Sequence, residues 1–191
     1  MIEGERYKDA ISMVTALAQL FRISLSKGNN IIPIRDEILH AKNYLNIQTV
    51  RFKNKFSASM DIDPAIEDCA TIKLIVQPLL ENAIYYGVEH MDGEGEIKVK
   101  GYEKDGDIYI SVSDNGMGIP EDVLKTLLTD KARSRGKGSG IGLWNVNQRI
   151  QIYFKGDYGL IIESELDEGT TVTIHLPKVP IEEYRKEESV K

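Results

Sequence analysis

What limits the possible folds most is the change from helix to strand period in the apolar residues near Asn54. Before that point Ala10, Ile11, Val14, Leu17, Ala18, Phe21 and Leu25 recur at steps of three and four, the period of one helix face. Met13, Ala16, Leu20 and Ile23 widen the stripe beyond one face, which predicts a helix over about residues 6–27 packed on two sides. Gly28-Asn29-Asn30 ends it, Pro33 punctuates the link, and Ile38, Ala41, Leu45 and Phe52 mark a second helix over about residues 36–52. The pair reads as an N-terminal helical hairpin. Beyond Asn54, Phe56, Ala58, Met60 and Ile62 alternate with polar residues, which is strand periodicity and the start of a different unit.

The remainder mixes the two periods in separate runs. An apolar helix is predicted over about Ile72 to Tyr86, with Pro78 either kinking it or marking its true start. Ile97, Val99 and Gly101 alternate, Lys104-Asp105-Gly106 turns the chain, and Ile108, Ile110 and Val112 alternate again, a β-hairpin. A helix over about Gly140 to Phe154 precedes a second hairpin, Gly159 to Glu165 and Gly169 to Leu176. This pattern predicts an α+β fold with helices on one face of a mixed sheet. The expected organisation is residues 1–53 as a helical region, 54–178 as the folded domain, and 179–191 as a charged, frayed tail.

With 41% apolar and 28% charged residues among 191, the chain can bury one ordinary core plus an appendage. A net charge of −6 argues against a general nucleic-acid binder, so an anionic ligand would need a local positive patch. The single cysteine, Cys69, excludes an internal disulfide and reads as a small buried residue. No apolar run approaches the roughly 20 residues that span a bilayer, and the first residues lack the pattern of a signal peptide. The expectation is a cytoplasmic piece of a longer protein, membrane-anchored only through a region upstream of Met1.

Four stretches carry chemistry. Ile108, Ile110, Val112 and Asp114 project to one face of a strand, which puts a carboxylate on the core side. Burying such a charge is costly without a fixed donor, and the following Asn115-Gly116-Met117-Gly118-Ile119-Pro120 lets backbone approach a ligand closely. A purine amine is a suitable donor; a turn in which Asp114 caps nearby amides fits this stretch equally well. Gly136-Lys137-Gly138-Ser139-Gly140-Ile141-Gly142-Leu143 runs into an amphipathic helix, so loop amides and a helix N-terminus converge as they do at phosphate sites, although such loops are often plain linkers. Lys131, Arg133, Arg135 and Lys137 form either a solvated loop or a cationic lid over a triphosphate. Glu81 and Asn82 offer hard oxygen ligands suited to Mg²⁺, where the plainer reading is a helix surface.

In this order, Glu81-Asn82-Ala83, Asp114 to Pro120, Gly138 to Leu143 and Gly169-Thr170-Thr171-Val172 resemble the N, G1 and G2 boxes of the GHKL ATP-binding fold. The resemblance covers about Ile72 to Pro177 and implies the Bergerat two-layer α/β sandwich, with ATP held under a flexible lid. It implies that Asn82 holds Mg²⁺, that Asp114 receives the adenine amine, and that Gly116 and Gly118 let the backbone, with Ile119, approach the base. Lys137, Gly138, Ser139, Gly140, Ile141, Gly142 and Leu143 then surround the phosphates, Thr170 supports adenine beside Asp114, and Tyr86 packs on the base or sugar. Leu20-Phe21-Arg22-Ile23-Ser24-Leu25, Lys42 to Gln48 and Gln77 to Ala83 are similar to the habits of LytS/YesM-type sensor histidine kinases, extending the likeness almost end to end.

That likeness implies a kinase domain that passes the γ-phosphoryl group to a histidine, with Glu81 and Asn82 in the catalytic role, dimerisation through the N-terminal helices and a response regulator as partner. Three features depart from the pattern. Pro78 stands where ATP-hydrolysing relatives place a glutamate, and Tyr85 where many kinases carry a polar, often lysine, residue. The Asn-Pro-His-Phe-like acceptor segment is absent, and His40, His90 and His175 are each expected to be surface residues, not phosphoacceptors. Two rival readings remain at this point: a GHKL anti-sigma serine kinase and a non-catalytic nucleotide-binding module.

Overall fold

In the computed structural model the described residues are 7, 11, 13–21, 30–53, 55–89, 91, 94–129 and 141–189. Residues 13–21 form helix α1 within the predicted 6–27 span, most of whose remainder lies outside the described residues. Among the described residues one side of α1 is covered. Ala16 is buried and Gln19 accepts a hydrogen bond from Asn43 (2.8 Å), while Ile11, Val14, Leu17 and Phe21 are exposed. The rest of the stripe that predicts packing on two sides is exposed among the described residues.

Helix α2 (Ile34–Arg51) begins two residues earlier than predicted, because Pro33 with its extended backbone is a natural N-cap and Ile34 is buried at once. Pro33 ends a three-residue strand β1 (Ile31–Pro33), which pairs antiparallel with β3 (Ala70–Ile72). Three residues are too few to display a period, so neither strand is visible in the sequence.

The main sheet has the order β2-β4-β5-β7-β6, formed by Phe56–Ile62, Gly95–Lys104, Asp107–Asp114, Gly169–Pro177 and Gly159–Glu165 respectively. The β2–β4 pair is parallel and the other three pairs are antiparallel, a mixed sheet as expected. Asp105 (φ 54°) and Gly106 (φ 86°) supply the two left-handed residues that a tight hairpin turn requires. Ile97, Val99, Ile108, Ile110, Val112 and Ile174 are buried in one core with Leu79, Leu80, Leu143 and Ile150 of the helices. On the opposite face Tyr102, Tyr109 and His175 stack across three strands with centroid distances of 5.5 and 4.7 Å. The outcome is a helix-on-sheet sandwich.

Helix α3 (Val76–Asn82) continues into a wider π-helical stretch, Ala83–Val88, and Pro78 lies in its first turn, where a missing N–H costs nothing. Pro78 thus marks the start and not a kink, and Ile72 belongs to β3 instead of the helix. A short helix α4 (Glu121–Leu124) follows the first glycine loop, and α5 (Ile141–Tyr153) the second.

The segment read as a frayed tail contains α6 (Ile181–Ser189). Ile181 is buried, its N–H donates to Asp68 (2.9 Å), and Tyr184 meets Phe154 edge to face, so two apolar anchors outweigh the charge of the sequence around them. His40 also differs from expectation: on α2 it is 2% exposed, because its face of the helix is the one turned inward. Cys69 is buried, as predicted, and burial pushes its thiol up. Among the described residues no helix is long and apolar enough to cross a membrane.

Candidate functional site

The strand parity that singles out Asp114 brings it to one end of a cleft between sheet and helices. Ile108, Ile110 and Val112 fill the core below it, and Asp114 lies directly opposite Thr170 in the β5–β7 register. Its Oδ1 accepts from the Gly116 N–H (2.9 Å), and the Thr170 N–H also bonds to it. Burial pushes the carboxyl up to about 6, and these two amides, which favour the charged form, only partly offset that. Asp114 therefore caps a turn, as one of the two sequence readings has it, and also lines the cleft with its carboxylate.

The loop after Asp114 is fixed by close backbone approaches. A Cβ on Gly116 would stand 2.4 Å from the Gly87 backbone, and one on Gly118 (φ 68°) 2.0 Å from the Glu165 carbonyl. Asn115 turns away from the cleft and binds the start of β4, accepting from Glu96 N (2.6 Å) and donating to Glu94 O (3.2 Å). The Ile119 N–H donates to Ser164 Oγ (2.8 Å), which itself contacts Gly169 O (3.0 Å) and Thr170 Oγ1 (2.9 Å). Ser164 thereby ties the loop to β6 and to β7, the strand paired with that of Asp114.

The other wall is α3 and its extension. Asn82 and Tyr86, four apart on one helical face, both line the cleft with Gly87, and the wide π turns bring Gly87 so near that a Cβ there would lie 2.7 Å from the Asp114 carboxylate. Asn82 has its Nδ2 buried without a hydrogen-bond partner in the fold. Its oxygen is a hard ligand of the kind Mg²⁺ takes, so the donor chemistry at this end fits the metal. Leu143, from the first turn of α5, Val123 of α4 and Leu127 just after it complete an apolar floor. The cavity measures about 280 Å³, near the lower end of small-molecule pockets.

Of the predicted site residues, the cleft thus gathers Asn82, Tyr86, Asp114, Gly118, Ile119, Leu143 and Thr170. Gly116 supports it from behind, and Gly142 sits near Pro78, where a Cβ added to the glycine would lie 3.7 Å from the proline Cβ. Ile141 is partly exposed at the start of α5. Lys137, Gly138, Ser139 and Gly140, with the cationic residues before them, lie outside the described residues, as does His90. Glu81 does not line the cleft. Its Oε1 accepts from Gln77 Nε2 (2.8 Å), and its charge, after burial, helps push the Tyr44 phenol up. Tyr85 faces α2 as well, where its hydroxyl accepts from Arg51 (2.7 Å).

Sequence reasoning missed Gly87 and Ser164. Gly87 had a signal, a glycine next to Tyr86 in an apolar helix, where glycine is otherwise unfavourable. Ser164 had none, since a serine on an edge strand is ordinary.

This combination of a mixed sheet, a strand-end carboxylate backed by glycines and an asparagine-bearing helix has known counterparts. Residues 67–180 match the family of histidine kinase-, DNA gyrase B- and HSP90-like ATPases, and residues 1–56 match the histidine kinase family. The chain belongs to the first of these, an ATPase family, which implies that it binds ATP.

More particularly, its relatives are sensor kinases. It is 34% identical over 177 residues to the sensor histidine kinase YesM of Bacillus subtilis, covering 93% of this chain and 29% of that protein. To the sensor protein LytS of Bacillus cereus it is 33% identical over 182 residues, 95% of this chain and 31% of the relative. The chain thus spans less than a third of either protein. The catalytic domain of the histidine kinase ThkA, in a nucleotide-free form, superposes with a TM-score of 0.59 at 17% identity, covering 80% of this chain and 100% of that one. The histidine kinase domain of a blue-light activated kinase from Erythrobacter litoralis gives 0.55 at 18% identity, covering 89% and 75%. These two likenesses establish the fold.

Proposed function

We propose that this chain is the ATP-binding catalytic part of a two-component sensor histidine kinase, which donates the γ-phosphoryl group of Mg-ATP to a histidine outside these 191 residues. The observation that carries the reading is the half-buried Asp114 carboxylate facing a cleft whose opposite wall presents the Asn82 side chain, its Nδ2 without a partner. Asp114 accepts from the adenine amine, Thr170 and the backbone at Gly118 and Ile119 set the plane of the base, and Tyr86 covers the base or sugar. Lys137, Gly138, Ser139, Gly140, Ile141, Gly142 and Leu143 form the phosphate side. Asn82 would hold Mg²⁺, whose charge neutralises that of the phosphates.

In the transfer, an imidazole nitrogen of the acceptor attacks the γ-phosphorus, a new N–P bond forms as the P–O bond to ADP breaks, and the imidazole proton leaves to a carboxylate. We assign that proton to Glu81, supported by its place next to Asn82 but outside the cleft, where an approaching acceptor and not the nucleotide would meet it. His40 is 2% exposed and His175, on the outer sheet face, is paired with Asp107 (2.8 Å), which supports an acceptor elsewhere.

In this reading residues 1–53 are the distal part of the dimerisation region, 54–178 the catalytic domain and 179–191 its C-terminal extension. The exposed Ile11, Val14, Leu17 and Phe21 on α1 support homodimerisation through the N-terminal helices of the whole kinase, in which a response regulator receives the phosphoryl group and any membrane anchor lies upstream.

Calorimetry with ATP in Mg²⁺ and in EDTA tests the site. Asn82→Ala is expected to remove most of the Mg-dependent gain in affinity, about tenfold, and to leave adenosine binding near wild type. Equal losses with and without Mg²⁺ would make Asn82 structural. With γ-labelled ATP the isolated chain is expected to take up no acid-labile label, and stoichiometric label would direct attention to one of its own histidines.

A further inference from the structure

Glu37 belongs to α2, far in sequence from every nucleotide motif, yet it is 0% exposed. Its Oε2 accepts from Leu74 N (2.7 Å) and its Oε1 from Ile75 N and Val76 N (both 2.9 Å). These amides open α3, whose own N-cap residue, Ile75, supplies no side-chain cap. The corner is also strained: Leu74 sits at φ 59°, a left-handed conformation that a branched residue avoids.

Arg149 of α5 grips the same corner from the carbonyl side, donating to Lys73 O (2.6 Å) and Leu74 O (3.2 Å), and its charge offsets that of Glu37. A carboxylate buried this fully is costly unless its donors are fixed; three backbone amides donate to it here, and the nearby Arg149 charge offsets a further part of the cost, while burial still pushes the carboxyl up. Strain of this kind persists only where surrounding contacts over-determine it, and it gathers at sites whose geometry matters.

The elements joined are informative. Helix α3 carries Asn82, α5 follows directly on the second glycine loop, and Gly142 at its start lies against Pro78 of α3. Helix α2 continues the N-terminal helical region and touches α3 again at its far end, through Arg51 and Tyr85. The strands that hold Asp114 and Thr170 take no part in these contacts.

We propose that Glu37 and Arg149 form a positioning clamp that sets the phosphate side of the nucleotide site, fixing α3 and α5 relative to one another and making their spacing depend on the position of α2. This rests on the reading of the cleft as an ATP site. Because the clamp acts on α3 and α5 but not on β5 and β7, its loss loosens the Asn82 end and spares the Asp114 end.

The test is calorimetry of Mg-ATP and of adenosine with the 191-residue chain, alongside thermal unfolding, for Glu37→Gln, Arg149→Lys and a control, Ile66→Val, that trims a buried residue away from the cleft. Glu37→Gln keeps the shape of the side chain but turns an amide donor toward a backbone donor. Arg149→Lys leaves the three amide bonds of Glu37 intact while losing the fork that reaches two carbonyls.

Both clamp variants are expected to bind Mg-ATP at least about tenfold more weakly, adenosine within about threefold of wild type, and Ile66→Val to bind both normally at a lowered melting temperature. If Glu37→Gln does not fold, Arg149→Lys decides alone. Lower melting temperature with unchanged Mg-ATP affinity would reduce the clamp to a helix cap and overturn the proposal, as would equal losses for the two ligands. Wild-type protein that fails to bind Mg-ATP would instead defeat the underlying reading of the site.

Discussion

The two ends of the cleft are built by different means. At the sheet end, Asp114 and Thr170 are opposite each other because antiparallel register puts them there, and the glycine loop is held by backbone contacts with its sequence-distant neighbours Gly87 and Glu165. At the helix end, Asn82 is placed by a short helix that starts at a strained corner, is capped by a residue of another helix, and widens into π turns. The sheet end has one arrangement, since a register slip would turn Asp114 to the other face. The helix end is held by side chains from α2 and α5.

The largest effect is expected at the sheet end. Gly118→Ala forces a Cβ to 2.0 Å from the Glu165 carbonyl at a φ of 68°, and backbone cannot yield there as a flexible side chain would. Overpacking and backbone strain together should cost about 3 kcal/mol in urea unfolding and abolish adenosine binding. A variant of near wild-type stability that still binds adenosine would show that the loop is not rigidly docked.

Asp114→Asn should produce the next largest effect, and the opposite one on stability. The amide retains an oxygen for the Gly116 N–H but presents donors where adenine also donates, so adenosine affinity should fall about 10- to 100-fold. The charge that burial penalises is gone, so at neutral pH the variant should be more stable by up to about 2 kcal/mol, the full shift being discounted for partial exposure. A variant that loses binding and stability together would mean that Asp114 chiefly holds the turn.

How far each end was legible in the sequence follows the same division. Period-two alternation identified β4, β5 and β7 and put Asp114 and Thr170 on the inner face from the sequence alone, since parity is a local property. The helix end was legible only in its residues. Asn82 and Tyr86 could be named, but the π turns that carry Gly87 to Asp114 arise from packing against β5, and β1 and β3 are too short to have a period. Glu37 resembled any acidic residue in the first turn of a helix, where a negative charge is unremarkable. One signal was available: Glu37 shares the face of Ala41, Tyr44 and Gln48, all buried, and a carboxylate on an inward face asks for donors. The donors are 37 to 39 residues away, which no local pattern reveals.

The smallest expected effect sharpens the comparison most, because it isolates one group at the sheet end. Burial raises the Asp114 carboxyl from 3.8 to about 6, so its charged form is disfavoured in the folded protein. For the unliganded chain this contribution to stability is fully present below about pH 4 and is lost as pH rises through 6. Melting curves of wild type and Asp114→Asn should therefore converge as pH falls from about 7.5 to 5. Ligand binding runs the other way, since the adenine amine donates to the carboxylate and selects its ionised form. Adenosine, which has no phosphate to titrate alongside, should bind about twofold more weakly at pH 6 than on its high-pH plateau, and its affinity should fall further, toward tenfold per unit, below that. Asp114→Asn should show no such slope. The Asn82 amide does not titrate, so Asn82→Ala should keep the wild-type pH slope of adenosine binding. Wild-type adenosine affinity that stays constant between about pH 7.5 and 5 would remove Asp114 from contact with the base and leave the turn as its only role.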